Sequence, residues 1–150
     1  MKIPLSTYRL QFNREFNFTD AAAIIPYLSR LGITDIYASP VFMAVTGSTH
    51  GYDVVDHNIL NPELGTTDDF GMLRAAGEQA GMGWIQDIVP NHMAFHSSNM
   101  MLRDLLEKGS ASEYNDFFDI EWEHARESLR GRLLVPFLGS FYSEALEKGE

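Results

Sequence analysis

The chain has 150 residues, 45% of them hydrophobic and 12% aromatic, which is ample for one packed core and too apolar for a disordered chain. Eleven basic residues face 21 acidic ones for a net charge of -10; this disfavours binding to nucleic-acid backbones and anionic membranes, which needs a positive surface, and is compatible with a neutral ligand such as a sugar. No apolar run reaches the ~18 residues of a membrane span, MKIPLSTYRLQF lacks the apolar core and cleavage site of a signal peptide, and without cysteine there are no disulfides, thiolate metal sites or cysteine nucleophiles, so a cytoplasmic protein is the simplest expectation.

Leu5–Phe12 reads as a first strand, with Tyr8, Leu10 and Phe12 spaced by two. Thr19 or Asp20 is expected to cap a helix running to about Leu31, with Ala21, Ile24, Leu28 and Leu31 on its apolar face. Pro26 should kink that helix or delay its regular part, and Gly32 fits the left-handed residue past its end. A second strand is expected at Ile33–Ala38, closed by Ser39-Pro40. Val41–Thr66, rich in Gly, His, Asn and Asp, reads as a long loop, and loops of that length are usually functional. Thr66 and Asp69 offer a capping arrangement for a helix through Ala80, with Phe70, Leu73, Ala76 and Ala80 as its buried stripe and Gly81 as its stop. Met82–Val89 is a third strand, ended by Pro90.

Strand, helix, strand, helix, strand predicts a parallel α/β sheet with right-handed crossovers, and either an open sheet or a barrel accommodates it. After Pro90 the alternation stops. Asn99–Lys108 looks helical, with Met101, Leu102, Leu105 and Leu106 as its apolar set; Glu113–Trp122 is acidic and aromatic; Leu133–Leu138 reads as a short strand.

Ligands of parallel α/β sheets bind beyond the carboxyl ends of the strands. Three segments belong there: Ser39-Pro40, His50-Gly51-Tyr52-Asp53 and Asp87–His92. Asp87, in an otherwise apolar strand, must be paired; a structural carboxylate bonded to backbone or to an Arg such as Arg9 and a functional carboxylate both satisfy that demand. Pro90 holds the turn that presents Asn91 and His92, whose side chains can bond sugar hydroxyls or serve structure alone. His50, Tyr52 and Asp53 combine a stacking ring with polar groups. His92 and His96, four apart, lack a zincin glutamate and a third ligand, so no metal site is expected. Phosphate-cradling glycine spacings and a serine-nucleophile elbow are absent.

YLSRLGITDIYASPVF, HGYDVVDHNILNPELGTTDDF and DIVPNH, in this order, resemble the alpha-amylase family of glycoside hydrolases: its second-strand region, its long loop into the second helix, and its signature on the third strand. STYRLQF, DIVPNHMAFH, DLLEKGSASEYNDFFDIEW and LLVPFLGSFYSEALEKGE are similar to the maltooligosyltrehalose synthase branch of that family.

The resemblance implies the N-terminal part of a (β/α)8 TIM barrel: residues 1–97 as the first three β/α units and residues 98–150 as the start of a subdomain inserted after the third strand. It implies an intramolecular transglucosylation that turns the reducing-end α-1,4 linkage of a maltooligosaccharide into an α,α-1,1 linkage. The retaining mechanism needs a nucleophilic carboxylate and a carboxylic acid about 5–5.5 Å apart. In the family these lie on later strands, so the chain is expected to lack them and to be inactive alone. By the same resemblance Tyr52 stacks under the sugar, His92 bonds its hydroxyls, Asp87 and Asn91 shape the rim, and His50 and Asp53 orient Tyr52 or reach the substrate. Many relatives use the Asn of this signature to hold calcium; the synthases do not generally depend on it, so no metal or cofactor is expected. A simple α-glucan hydrolase and a non-catalytic glucan-binding fragment are the alternatives.

Overall fold

The computed structural model describes residues 3–135 and 138–149. The chain divides into two compact units, Met1–Leu102 and Arg103–Glu150. The first is built on strand β1 (Thr7–Leu10), helix α1 (Phe18–Arg30), strands β2 (Asp35–Ala38), β3 (Phe42–Ala44) and β4 (Val54–Leu60), helix α2 (Thr67–Gln79) and strand β5 (Gly83–Gln86). β1, β2 and β5 form a parallel sheet in that order, with β2 central.

The expected alternation is present, with shorter strands. β1 stops at Leu10 because side chains replace the ladder at its flanks: Leu5 and Ser6 donate their N–H to Thr34 Oγ1, and Phe12 donates to Ser39 Oγ at 2.8 Å. β5 likewise ends at Gln86, so Asp87 follows the strand instead of lying within it. The expected loop 41–66 instead contains an antiparallel hairpin, β3 with β4, with irregular register, and a 3₁₀ turn at Pro62–Leu64. Polar residues such as Asp56, His57 and Asn58 masked the β-branched Val54-Val55 pair that starts β4.

α1 begins two to three residues earlier than expected. Asn17 is its cap, its Oδ1 accepting from Thr19 and Asp20 N–H, while Asp20 returns the bond to Asn17 N–H. Asp20 is therefore the box partner, not the cap. The helix continues through Pro26, whose ring lies on the exposed side, where helices bend toward water and tolerate a missing bond. Leu31 is exposed and Ile25 is buried in its stead, because Leu31 already lies in the C-terminal cap. Ile33 N–H then bonds Leu28 O and Gly32 N–H bonds Ser29 O, around Gly32 at φ 87°; the left-handed residue is glycine because a Cβ disfavours that backbone. α2 starts with the expected Thr66–Asp69 capping box and ends at Gly81 in the same way.

Register places Leu10 beside Ala38, and Tyr8, Ile36 and Trp84 in one row. Leu10, Ile36 and Ala38 are buried with Phe12, Phe18, Ala21, Ile25, Leu28 and Leu73, so this face of the sheet joins the core that α1 and α2 supply. Arg9, Tyr37 and Ile85 form the alternate row and face the other way.

After β5, Asn99 is buried and caps helix α3 (Met100–Lys108), accepting from Leu102 N–H and donating to Ala94 O. Leu102 and Leu105 are buried, whereas Leu106 of the expected apolar set is exposed. Within the second unit, Asp104 pairs with Lys108 and accepts from Ser112 Oγ at 2.6 Å. Trp122 Nε1 donates to Asn115 Oδ1 at 2.7 Å. Short 3₁₀ turns and helix α4 (Tyr142–Lys148) complete this unit. Of the strand expected at Leu133–Leu138, residues 136–137 lie outside the described residues, and the remainder is irregular. Among the described residues no helix is long and apolar enough to cross a membrane.

Candidate functional site

Asp87 N–H bonds Ala38 O at 2.9 Å, which sets its carboxylate at the carboxyl end of the sheet. It lies on the same face as Arg9 and Tyr37, and these side chains meet it. Asp87 Oδ2 receives the Arg9 Nη1 at 3.2 Å, the Tyr37 hydroxyl at 3.3 Å and the Tyr52 hydroxyl at 2.5 Å. Arg9 Nη2 donates to Tyr52 Oη at 2.8 Å and to Gln11 Oε1 at 3.1 Å. The guanidinium carbon also sits 4.8 Å from the Tyr37 ring centre, a cation–π contact.

Asp87 retains only 18% side-chain exposure, yet it is ionised. The Tyr52 hydrogen bond holds its carboxyl below the usual carboxylate range; desolvation opposes this, and Arg9 and Tyr37 reinforce it. The Tyr52 phenol is pushed up in turn, first by its bond to Asp87 and then by desolvation, with Arg9 working against both. With three donors on Oδ2 and its proton disfavoured, Asp87 is a poor general acid near neutral pH. The arrangement suits binding: a charged rim beside an aromatic ring.

Tyr52 is carried by a tight turn. Gly51 has φ 74°, its N–H bonds Ser48 Oγ at 3.0 Å, and a Cβ there would stand 2.9 Å from Pro40 O. The turn thus packs directly against the tip of β2. Tyr52 N–H donates to His50 Nδ1 at 3.1 Å, which places the ring proton of neutral His50 on Nε2, and the two rings stack with centres 6.0 Å apart. Gln11 Nε2 reaches His50 O at 3.1 Å. Asp53 Oδ1 accepts from Ser48 Oγ at 2.5 Å and lies 3.8 Å from His50 Nδ1.

The segment after β5 is tied to the hairpin: Ala94 N–H bonds Val54 O at 2.8 Å and His57 Nε2 lies 3.1 Å from Val89 O. Gln86 Nε2 donates to Ser39 O at 3.0 Å. Asn91 and His92 are exposed, and His92 Nδ1 sits 3.2 Å from Asn91 Oδ1. The structure therefore joins Tyr52, Asp87 and His50 in one network, with Asp53 bracing its turn, and sets Asn91 Oδ1 against His92 Nδ1. His96 Nδ1 bonds Ser98 Oγ at 2.8 Å. Among the described residues no group of three or more His, Cys, Asp or Glu side chains gathers as a candidate metal site.

Arg9, Gln11 and Tyr37 are the members that sequence reasoning did not assign; Arg9 was considered only as a structural partner of Asp87. Their signal is alternation: along β1 and just past it, the residues between apolar Leu10 and Phe12 and beside them are polar, marking the face that looks away from the helices.

Residues 21–146 match the family model described as the alpha amylase catalytic domain. A "putative maltooligosyl trehalose synthase" of Mycobacterium tuberculosis is 43% identical over 143 residues, 91% of this chain and 18% of that protein. Neopullulanase 2 of Thermoactinomyces vulgaris is 36% identical over 65% of this chain and 16% of its own length. Among solved structures, the maltooligosyltrehalose synthase from Arthrobacter ramosus matches at 47% identity and TM-score 0.77, covering 80% of this chain and 16% of that one. A crystal structure of maltooligosyl trehalose synthase matches at 41% identity and TM-score 0.82, covering 98% and 20%. The chain thus spans about a fifth of the length of the relatives it matches.

Proposed function

Because the chain belongs to the alpha-amylase family of glycoside hydrolases, a TIM-barrel family, we propose that it forms part of an enzyme converting the reducing-end α-1,4 linkage of maltooligosaccharides into an α,α-1,1 linkage. In this reading residues 1–97 are the first three β/α units of a (β/α)8 barrel and residues 98–150 begin an inserted subdomain. The observation that carries the reading is the extent of the likeness. Identity to the putative synthase runs over 91% of the chain, whereas identity to neopullulanase 2 covers 65%. In this reading the longer likeness favours the synthase branch over the hydrolases.

The nucleophile and the acid are supplied by later strands. The carboxylate attacks the anomeric carbon, the C1–O4 bond breaks, and the acid gives its proton to the departing glucose. That glucose turns, and its own anomeric hydroxyl attacks the glucosyl-enzyme, returning a proton to the same residue. Water has to be excluded during the turn, or hydrolysis results. The residues of this chain hold the sugar: the Tyr52 ring lies under it, His92 bonds its hydroxyls, and Asp87, Asn91, His50 and Asp53 keep the rim in shape.

Incubating the protein of the complete reading frame with maltopentaose tests this. Reducing ends should disappear without free glucose, leaving a trehalose-terminated product. Accumulation of glucose or maltose with rising reducing power would instead establish the hydrolase. The 150-residue chain alone should turn over no maltopentaose; turnover by it would refute the placement of the carboxylates on later strands.

A further inference from the structure

We infer that Arg9 and Gln11 are positioning residues for Tyr52, holding its ring as a stacking platform whose hydroxyl has no proton left for the substrate. This rests on the proposed glucan-rearranging function, since it gives Tyr52 a sugar to stack on.

The geometry is reciprocal. The single proton of the Tyr52 phenol goes to Asp87 Oδ2 at 2.5 Å, and its oxygen accepts from Arg9 Nη2 at 2.8 Å. A phenol so engaged offers a polyol its ring face and no hydrogen-bond donor. Arg9 is a fork: one nitrogen meets Asp87, the other meets Tyr52 and Gln11 Oε1. Gln11 uses its remaining amide group on His50 O, two residues before Tyr52. The strand therefore grips the turn at two points, the phenol and the backbone, through two side chains that touch each other. Arg9 in turn is fixed by the Tyr37 ring at 4.8 Å. A lysine cannot substitute for this geometry, because an ammonium is a point charge and not a planar fork.

The consequence is kinetic. A platform misplaced by about 1 Å costs on the order of 10²-fold in rate, and it should do so in kcat more than in KM when the ring serves the distorted, reacting sugar. The complete protein is compared with Arg9→Met, Arg9→Lys, Tyr52→Phe and the Arg9→Met/Tyr52→Phe double variant on maltopentaose. Arg9→Met should lower kcat by about 10²-fold, and Arg9→Lys should recover only part of it. Tyr52→Phe removes the hydroxyl that Arg9 holds, so the double variant should fall within about 3-fold of the worse single variant. Losses that multiply would overturn the inference, as would an Arg9→Lys variant with full kcat.

A second measurement needs no turnover. Carbon-13 labelling of the tyrosine Cζ follows the Tyr52 titration in folded protein without substrate. Arg9 holds the phenol down against the Asp87 contact, so Arg9→Met should move this titration to higher pH. An unmoved titration removes the inference. Product identity tests the proposed function separately: glucose release by the wild type would defeat that function while the variant comparison still reads the role of Arg9.

Discussion

The Tyr52 hydroxyl stands 2.5 Å from Asp87 Oδ2 although 35 positions separate the residues in sequence. One bond thus joins the turn that follows the hairpin's first strand to the carboxyl end of β5, and Arg9 closes the triangle from β1.

The acid limb of stability should carry this triangle's signature. Asp87 is held below its ordinary carboxyl value in the fold, so its contribution is fully present above the unfolded value and is lost as pH falls through the depressed folded one. The difference in melting temperature between wild type and Asp87→Asn should be constant from neutrality down to the usual carboxylate range and then shrink. A difference that stays constant through the acid range would show that the carboxylate's ionisation contributes nothing to the fold.

Gly51→Ala should disturb the site from behind. Its backbone is left-handed at φ 74°, and the new methyl would meet Pro40 O at 2.9 Å. The strain is about 1–3 kcal/mol, and the turn can relieve it only by moving away from β2, taking Tyr52 with it. Maltopentaose turnover by the complete protein should fall at least about 10-fold while its melting temperature drops by a few degrees. Unaltered turnover would mean that the turn does not position the ring.

The parts of the fold that could be read from sequence are those fixed by neighbours within a few residues. Thr66 and Asp69 announced α2, Gly32 and Gly81 announced helix ends, and the alternation of helices and strands announced a parallel sheet. The hairpin was missed because its strands pair through an irregular register that leaves no clean alternation. Asn17 was missed as a cap because Thr19 and Asp20 are equally good cap types two and three residues later. Asp87 and Tyr52 could be chosen as residues of interest, but not as partners. Their contact depends on the register that aligns Arg9, Tyr37 and Ile85 across three strands, a property of the assembled sheet.

Asn17→Ala tests the cap that local propensity overlooked. The side chain accepts from Thr19 and Asp20 N–H and also from Thr19 Oγ1. Its loss should cost about 1 kcal/mol, felt first as fraying of α1. Hydrogen exchange of the Thr19 and Asp20 amides should quicken by about 5-fold, the equivalent of that energy, while α2 amides stay unchanged. Equal acceleration in both helices would point to global destabilisation instead of a lost cap.

Phe18 is the residue on which the two helices and the sheet depend together. It is fully buried, its ring centre is 5.5 Å from that of Phe12 beyond β1 and 5.2 Å from that of Phe70 on α2, and Phe70 meets Trp84 of β5 edge-on at 5.6 Å. Each ring in this chain comes from a different element, so a void at Phe18 cannot be closed by moving one of them without opening another contact. Phe18→Ala should therefore fall in the upper range for such a change, about 3–5 kcal/mol, whereas Phe18→Leu, which keeps most of the volume, should cost less than about 1.5 kcal/mol. Thermal unfolding of the complete protein followed by circular dichroism should show the Ala variant melting well below the Leu variant. If the two melted together, the aromatic chain would not be the element holding α1 and α2 to the sheet.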